Sequence, residues 1–478
     1  MAGTVAASVV MVARFDTPLV DEPPVTKNTG EKPDSELAQY QREAGASGDA
    51  ARREFQRMDK GAIAVLSRVA DASWSSSMRL GPGARLTAGR FVLESGAVQM
   101  EFLSGANLVI EAPADIELIS TMSVFCRHGK VRARVPSQAH GFTIETPTHR
   151  AIDLGTEFAV DVGGKGSTEV HVVEGEVKLQ DKPRAADKLR TANKADRQLL
   201  LGDAFRGQGG GQGASIKVDA ARFIDAERLI QLSEQDALVR YMKWREWSRQ
   251  IAAHPDIVTY FAFEDHSRSE RILRQDGPLE GDSYAGAIVG CRWIEGRWSM
   301  KQALEFKGVE DRVRVNIPGE YRSISLACWI RIEGFDRFLS SLLLPEGHDL
   351  GEVHWQFTDT GKLLLGVKTD SEHSQDYFSD VALRPTDVGR WVHLACVYNQ
   401  DAGSVSHYVD GQRVSTEAIR KHVTLRFGAS ELGNWVPEAY QHHRVRNLNG
   451  RMDEFALFKK ALSDEEIRTL FEAGKPSS

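Results

Sequence analysis

Residues 78–120 read MRLGPGARLTAGRFVLESGAVQMEFLSGANLVIEAPADIELIS, and apolar side chains fall at alternate positions along them: Phe91 and Leu93, then Val98, Met100 and Phe102, then Leu108 and Ile110, then Ile116 and Leu118. A period of two puts these residues on one side of extended chain, so the stretch is a set of β-strands with one buried face. Glycines 81, 89, 96 and 105 interrupt the runs at intervals of seven to nine residues. This spacing predicts short strands joined by tight turns, in a rolled or solenoid-like sheet whose successive turns stack.

Alternation resumes downstream in FTIETPTHRAIDLGTEFAVDV (142–162) and STEVHVVEGEVKL (167–179), where Glu174-Gly175 sits between two strand patterns as a hairpin turn would. QLLLGDAFR (198–206) supplies one more strand, and GQGGGQGAS (207–215) reads as a flexible boundary. Phe223, Ile230, Ala237, Tyr241, Trp244, Ser248 and Ile251 then recur at helical spacing. Asp219 is the N-cap candidate, Ser233 with Asp236 a point where a second helix restarts, and Pro255 the stop. From residue 256 alternating patterns return, among them ISLACWIRI (324–332), HWQFTD (354–359), KLLLGVKT (362–369), WVHLACVYN (391–399) and SVSHYVDGQRV (404–414). Many short strands with little helix predict an antiparallel β-sandwich. Asp410-Gly411 is its strongest hairpin signal, and Ser463 with Glu466 is a capping box opening a final helix.

The whole chain has 478 residues, too many for one compact core. Hydrophobic residues at 41% and charged ones at 27% exclude wholesale disorder. Acidic residues number 67 against 60 basic, a formal charge of -7, so no global field draws the chain to nucleic acid or to an anionic membrane. No run reaches the roughly 20 apolar residues that a bilayer core requires. Met1 to Phe15 is apolar, yet as a helix the 14 residues before Phe15 cover only about 21 Å. It lacks the basic region and cleavage signal of a secretion leader. Two readings stay open for it: a disordered or docked terminus, or the outer end of a membrane helix that begins upstream. Residues 16–60, rich in Pro, Glu, Lys, Gln and Arg, read as a stalk.

The runs GAIAVLSRVADASW (61–74), GFTIETPTHRAIDLGTEFAVDV (141–162) and EVHVVEGEVKL (169–179) resemble the FecR-type domain, in the version common in large planctomycete-type surface proteins. That resemblance implies an extracytoplasmic β-rich module, and in the family the domain relays cell-surface signals to an extracytoplasmic sigma factor. ALEFKGVEDRVRV, SISLACWIRI, GRWVHLACVYN, HYVDGQRV and LNGRMDEFALFKKALSDEEI resemble, in order, the laminin-G-like, concanavalin A-like jelly roll. This second resemblance implies two curved antiparallel sheets that bind carbohydrate or protein, often with a structural calcium ion. The expected organisation is an N-terminal segment and stalk (1–60), a FecR-like β domain (61–206), a Gly-rich linker and helical connector (207–255), and a jelly roll (256–478). The fold class is mainly β.

No catalytic residues are assigned. Laminarinase-type relatives of the jelly roll hydrolyse with an E-x-D-x-E strand, which this chain lacks. Asp453 and Glu454 are adjacent, and adjacent strand residues point to opposite faces, so they are expected not to serve one bond. For calcium, which needs several oxygen ligands, the candidates are Asp453 with Glu264 and Asp265. For a sugar patch, which needs aromatic rings beside polar groups, they are Trp355, Tyr377, Trp435 and Tyr440, with core packing the competing role for Trp355 as it is for Trp329 and Trp391. His442 and His443 adjoin without a third ligand. Cys126, Cys291, Cys328 and Cys396 show no metal spacing; Cys328 and Cys396 sit inside apolar strand patterns and act as small hydrophobes, and a disulfide between them requires their strands to be neighbours. Asp153, Thr156 and Glu157 read as turn chemistry. The expected function is non-enzymatic binding of a glycan or protein at the periplasm or cell surface, with membrane attachment through an upstream or N-terminal segment. The alternatives are a FecR-type signalling regulator whose N-terminus is incomplete and, less favoured, a concanavalin A-like glycosidase.

Overall fold

The computed structural model describes residues 61–75, 80–164, 167–182, 196–209, 212–264, 271–435 and 445–476. Met1 to Phe15, the stalk, Asp265, Tyr440, His442 and His443 lie outside the described residues.

The first unit is a 13-stranded sheet. Its strands are long: Ala62–Trp74, Gly89–Phe102, Asn107–Ser120 and Ser123–Arg134 pair in sequence as an antiparallel meander. Only some of the glycines make turns. Gly105 does, whereas Gly96 lies inside a strand at a register shift between Leu93 and Ala97. Its φ is +76°, and a Cβ there would sit 2.2 Å from the Asp71 carbonyl oxygen, so only glycine fits. Further shifts fall between Ala70 and Ser73 and between Glu111 and Asp115. Bulges aligned across neighbouring strands bend a sheet along one line, and this line is where the sheet rolls.

Beyond the bend the sheet forks. Ser123–Phe125 pair with Thr143–Glu145, while Gly129–Arg134 pair with Glu157–Val162. One branch continues through His149–Asp153, Glu176–Asp181 and Arg197–Leu200; the other continues through Thr168–Glu174, Asp203–Gly209 and Gln212–Lys217. Thr168–Glu174 and Glu176–Asp181 therefore belong to different branches. Glu174-Gly175 is not a hairpin turn but a corner that passes the chain between them, with Gly175 at φ +74°. The glycine-rich run is likewise no free linker, because Gly207 pairs with Gly213 in the last hairpin. Phe142, Phe158, Val160, Val170, Val172, Val177, Leu179 and Phe205 fill the interior.

One helix, α1 (Ala226–Ala252), leaves this unit. Its N-cap is Asp225, whose Oδ1 accepts from Arg228 N at 2.7 Å; Asp219 caps nothing with its side chain, and no second helix restarts at Ser233. Leu229 is buried against Ala70, Ala97 and Val109 of the first unit. Trp244 and Ser248 are the next buried positions, and they face the second unit. At 1.5 Å per residue, 27 residues span about 40 Å, so α1 bridges the two.

The second unit is two eight-stranded antiparallel sheets packed face to face, the expected sandwich. One sheet holds Arg292–Glu295, Gln302–Phe306, Gly450–Phe458, Ile324–Ile332, Trp391–Asn399, Ser404–Val409 and Gln412–Ala418, with Ile257–Phe261 beside Gly450–Phe458. The other holds Ile272–Leu273, Gly286–Val289, Arg312–Tyr321, Leu425–Leu432, Leu339–Pro345, Val353–Thr358, Lys362–Lys368 and Ser374–Val381. The Asp410-Gly411 turn has φ of +50° and +73°, as a type I′ hairpin requires. α1 and α2 (Asp464–Gly474, capped by Ser463 and Glu466) cover the outer face of the first sheet, and among the described residues no helix covers the outer face of the second. Cys328 and Cys396 lie on paired strands, but Cys328 stands opposite Leu394 and Cys396 opposite Leu326, and both thiols are free. Burial pushes both thiols well up. No described helix is long and apolar enough to cross a membrane.

Candidate functional site

The adjacent carboxylates Asp453 and Glu454 do converge, contrary to strand alternation. Glu454 stands opposite Trp329 and Met452 opposite Ile330, so Asp453 is the extra residue of a β-bulge and its side chain swings to the side of its neighbour. Both meet Arg297. Its backbone N–H and Nε donate to Asp453 Oδ2 at 2.8 and 3.0 Å, and its guanidinium also bonds Glu454 and donates to Gly474 O at 2.8 Å. The guanidinium lies 4.6–5.4 Å from the ring centres of Trp329, Trp298 and Trp244. Trp244 Nε1 donates to Glu454 Oε2 at 3.0 Å, and the Tyr260 hydroxyl donates to Oε1 at 2.6 Å. Lys301 Nζ, also buried, lies 3.8 Å from the Asp453 carboxylate. Burial pushes the Asp453 carboxyl up and the Lys301 ammonium down to about 8, each opposed by the charges beside it.

This cluster is sealed: the side chains of Arg297, Lys301 and Asp453 expose nothing. It has two carboxylates but no room for a glycosidic bond between them. The calcium expectation for Asp453 is corrected in the same way, since a guanidinium and an ammonium already occupy the carboxylate a cation would need. Glu264 is engaged elsewhere, accepting from the Tyr241 hydroxyl at 2.5 Å. Among the described residues no three His, Cys, Asp or Glu gather as a metal-ligand group.

The aromatic candidates part company. Trp355 and Tyr377 are fully buried between the sheets and offer no ring to a sugar, because both point inward in their strands. Trp435 is half-buried and sits beside Arg446, whose guanidinium is 4.8 Å from the ring centre.

The second sheet's outer face carries the residues that alternate with Trp355 and Tyr377. Ser341 stands opposite Gln356, which stands opposite Leu364. In the next row His354, Gly366 and Asp376 lie side by side on three strands. Gly366 lets the aspartate lean across, since a Cβ there would be 2.8 Å from Asp376 Oδ1. His348 Nδ1 lies 3.3 Å from His354 Nε2, and His348 Nε2 lies 3.2 Å from Ser374 Oγ. Burial, with Lys368 and Arg446 nearby, holds His348 below the ordinary imidazole value and His354 down to about 3. Burial also lowers Arg446, to about 10. Ser341 Oγ and Gln356 Oε1 are buried with no hydrogen-bond partner among the described residues. An orphaned buried acceptor costs about 1–3 kcal/mol, so such a pair on one face marks a place where a bound hydroxyl or water belongs.

Sequence reasoning missed this patch, although its signal was present: in HWQF the polar residues occupy the phase opposite to the aromatic ones. It also missed an open cleft of about 800 Å³ at the sandwich edge, lined by Arg271, Cys291, Arg292, Trp293 and Gln302. Asp153 behaves as expected of a turn, its Oδ2 accepting from Gly155 N at 2.8 Å.

Residues 97–178 match the family model for FecR protein, and residues 310–468 match Laminin_G_3, of the concanavalin A-like lectin/glucanases superfamily. No curated protein matches the chain. Similar solved structures include the receptor binding domain of botulinum neurotoxin C/D mosaic serotype, at 14% identity and TM-score 0.36, covering 46% of this chain and 51% of that one. The binding domain of Paraclostridial Mosquitocidal Protein 1 is similar at 14% identity and TM-score 0.35, covering 45% and 52%. The chain spans about half the length of these structures, and likenesses this slight carry nothing about function. The chain therefore carries two known modules in series: a FecR domain, then a laminin-G-type domain of the concanavalin A-like superfamily.

Proposed function

We propose that this is a non-enzymatic, extracytoplasmic binding protein whose sandwich takes a glycan on the outer face of its second sheet. The observation that carries the reading is the pair of orphaned acceptors, Ser341 Oγ and Gln356 Oε1, set among His354, Asp376, Arg446 and Trp435. Ser341 and Gln356 are 0% and 1% exposed, so a hydroxyl-rich ligand satisfies these acceptors by displacing what covers them, and it lays a sugar face on the indole. The sealing of Asp453 and Glu454 supports binding over hydrolysis. The family pairing supports the periplasm or cell surface as its place, and attachment to a membrane through the N-terminal segment or one upstream belongs to the same proposal.

The test is a glycan array run with and without calcium, followed by titration of the best glycan against Gln356→Leu and Ser341→Ala. Binding that weakens about tenfold or more in these variants, with the melting temperature held or raised, is the expected result. An empty array, or variants that bind as the parent does, would sink the reading; capture of a protein ligand that competes with no sugar would replace it with protein recognition.

A second reading, relay of a signal through the FecR domain, is favoured by α1, which is buried at one end in the FecR unit and at the other in the sandwich. The DNA upstream of Met1 tests it. An in-frame membrane helix preceded by a small helical domain supports the relay, and an early stop codon removes it.

A further inference from the structure

We propose that His348 and His354 form a binding site for a divalent transition-metal ion of the zinc class on the outer face of the second sheet. Two nitrogens bound to tetrahedral zinc at about 2.0–2.1 Å stand roughly 3.3–3.4 Å apart. His348 Nδ1 and His354 Nε2 are 3.3 Å apart, with the rings 4.9 Å between centres and 31° from parallel. The second nitrogen of His348 is also accounted for. Ser374 Oγ lies 3.2 Å from Nε2, and a ligating histidine keeps its metal-facing lone pair when its other N–H is held by such a partner.

The chain supports this arrangement from two sides. His354 belongs to the strand Val353–Thr358, and Ser374 to Ser374–Val381, two strands away across Lys362–Lys368. His348 comes from the turn that precedes Val353, close to Asp349. Without metal, one imidazole N–H bridges the two nitrogens. Binding requires only that His354 carry its proton on Nδ1 in place of Nε2, so both rings remain neutral and no proton leaves. Water completes the coordination, and Asp376, leaning over Gly366 toward His354, is the carboxylate nearest in the sheet row. Lys368 and Arg446 stand close by and oppose the ion's charge, so Asp376 is the group that offsets them. The inference does not rest on the glycan reading: a protein that binds zinc and no sugar would leave it intact.

The experiment is calorimetric titration of chelator-treated full-length protein with zinc chloride and with nickel chloride, using calcium chloride as the hard-cation control. One zinc per chain is expected, with no calcium heat at the same site. The double variant His348→Gln, His354→Gln should lose it, and Ser374→Ala should bind about tenfold more weakly. His442→Gln with His443→Gln should bind as the parent does. Cobalt bound to the parent should show the absorption of tetrahedral nitrogen ligation, which a folding defect in a variant cannot mimic. No saturable zinc binding by the parent, binding that survives in the double variant, or binding lost with His442 and His443 would each overturn the proposal.

Discussion

Arg297 gathers groups from every side of the sandwich's helix-covered face: carboxylates of one strand, a backbone carbonyl of α2, and the indole of Trp244 on α1. Removing one partner of a buried charge network costs more than the network contributes, because the remaining charges stay buried. Arg297→Met, of similar size, should therefore destabilise the sandwich by about 3–5 kcal/mol in urea unfolding. Arg297→Lys should rescue little, since one ammonium cannot serve both carboxylates and the carbonyl; full stability in either variant would show the cluster to be ornamental. Two other buried residues set a pH response. Burial holds His407 at about 4 and His393 at about 3. Both lie below the ordinary imidazole value of about 6.5, so between those limits the unfolded chain binds more protons than the folded one. Stability is then complete above pH 6.5 and is lost as the pH falls toward 4, by about 1.4 kcal/mol per pH unit for each histidine. His407 Nε2 lies 3.0 Å from the Tyr377 carbonyl, a bond that glutamine's amide can also donate. His407→Gln should flatten the slope of unfolding free energy against pH by about one such step; parallel slopes for variant and parent would refute the assignment. None of this was legible in the sequence: Arg297 stands in no motif, and nothing in GRWVHLACVYN or HYVDGQRV marks His393 or His407 as buried. Burial is a property of the assembled sheets.

At the scale of elements, the sequence was most legible where one signal had one structural meaning. The Asp410-Gly411 hairpin and the Ser463 capping box are local devices, and both sit where the residues placed them. The glycines of the first unit are different, because positive φ serves a turn and a bulge alike. Gly96 was expected to end a strand and instead bends one, which turned a prediction of short strands into strands of 12 to 14 residues. Two glycines of this unit separate the causes. Gly202 has φ +86° with nothing near its absent Cβ, whereas Gly96 at +76° has backbone oxygens and a backbone carbon within 2.4 Å. Gly202→Ala should cost about 1–2 kcal/mol, the price of left-handed backbone alone. Gly96→Ala should cost clearly more, or abolish folding of the unit, because the neighbouring strand must move. Equal losses in the two variants by chemical denaturation would mean that the bulge is soft.

For the whole molecule, the fold class and the order of modules were readable from periodicity, but not what joins them. The helical face was visible; that its two ends serve different bodies was not, since the apolar residues at either end look alike in sequence. In the structure Leu229 packs on the FecR unit, Trp244 on the sandwich, and Leu238, Val239 and Met242 between them are largely exposed. A second contact lies away from the helix, where Gly83 and Gly389 meet backbone to backbone: a Cβ on Gly389 would stand 2.9 Å from the Gly83 carbonyl. Two separated contacts resist rotation as one cannot, so the modules should move as a single body. Replacing Val239 and Arg240 with glycines weakens the helix by about 1 kcal/mol per residue without touching either buried end. Gly389→Val removes the second contact. Each change alone should leave the small-angle scattering profile near that of the parent, and the combination should enlarge the radius of gyration while both unfolding transitions persist. If the helix change alone frees the modules, the glycine contact carries nothing; if the combined variant scatters as the parent does, a further contact holds the two units together.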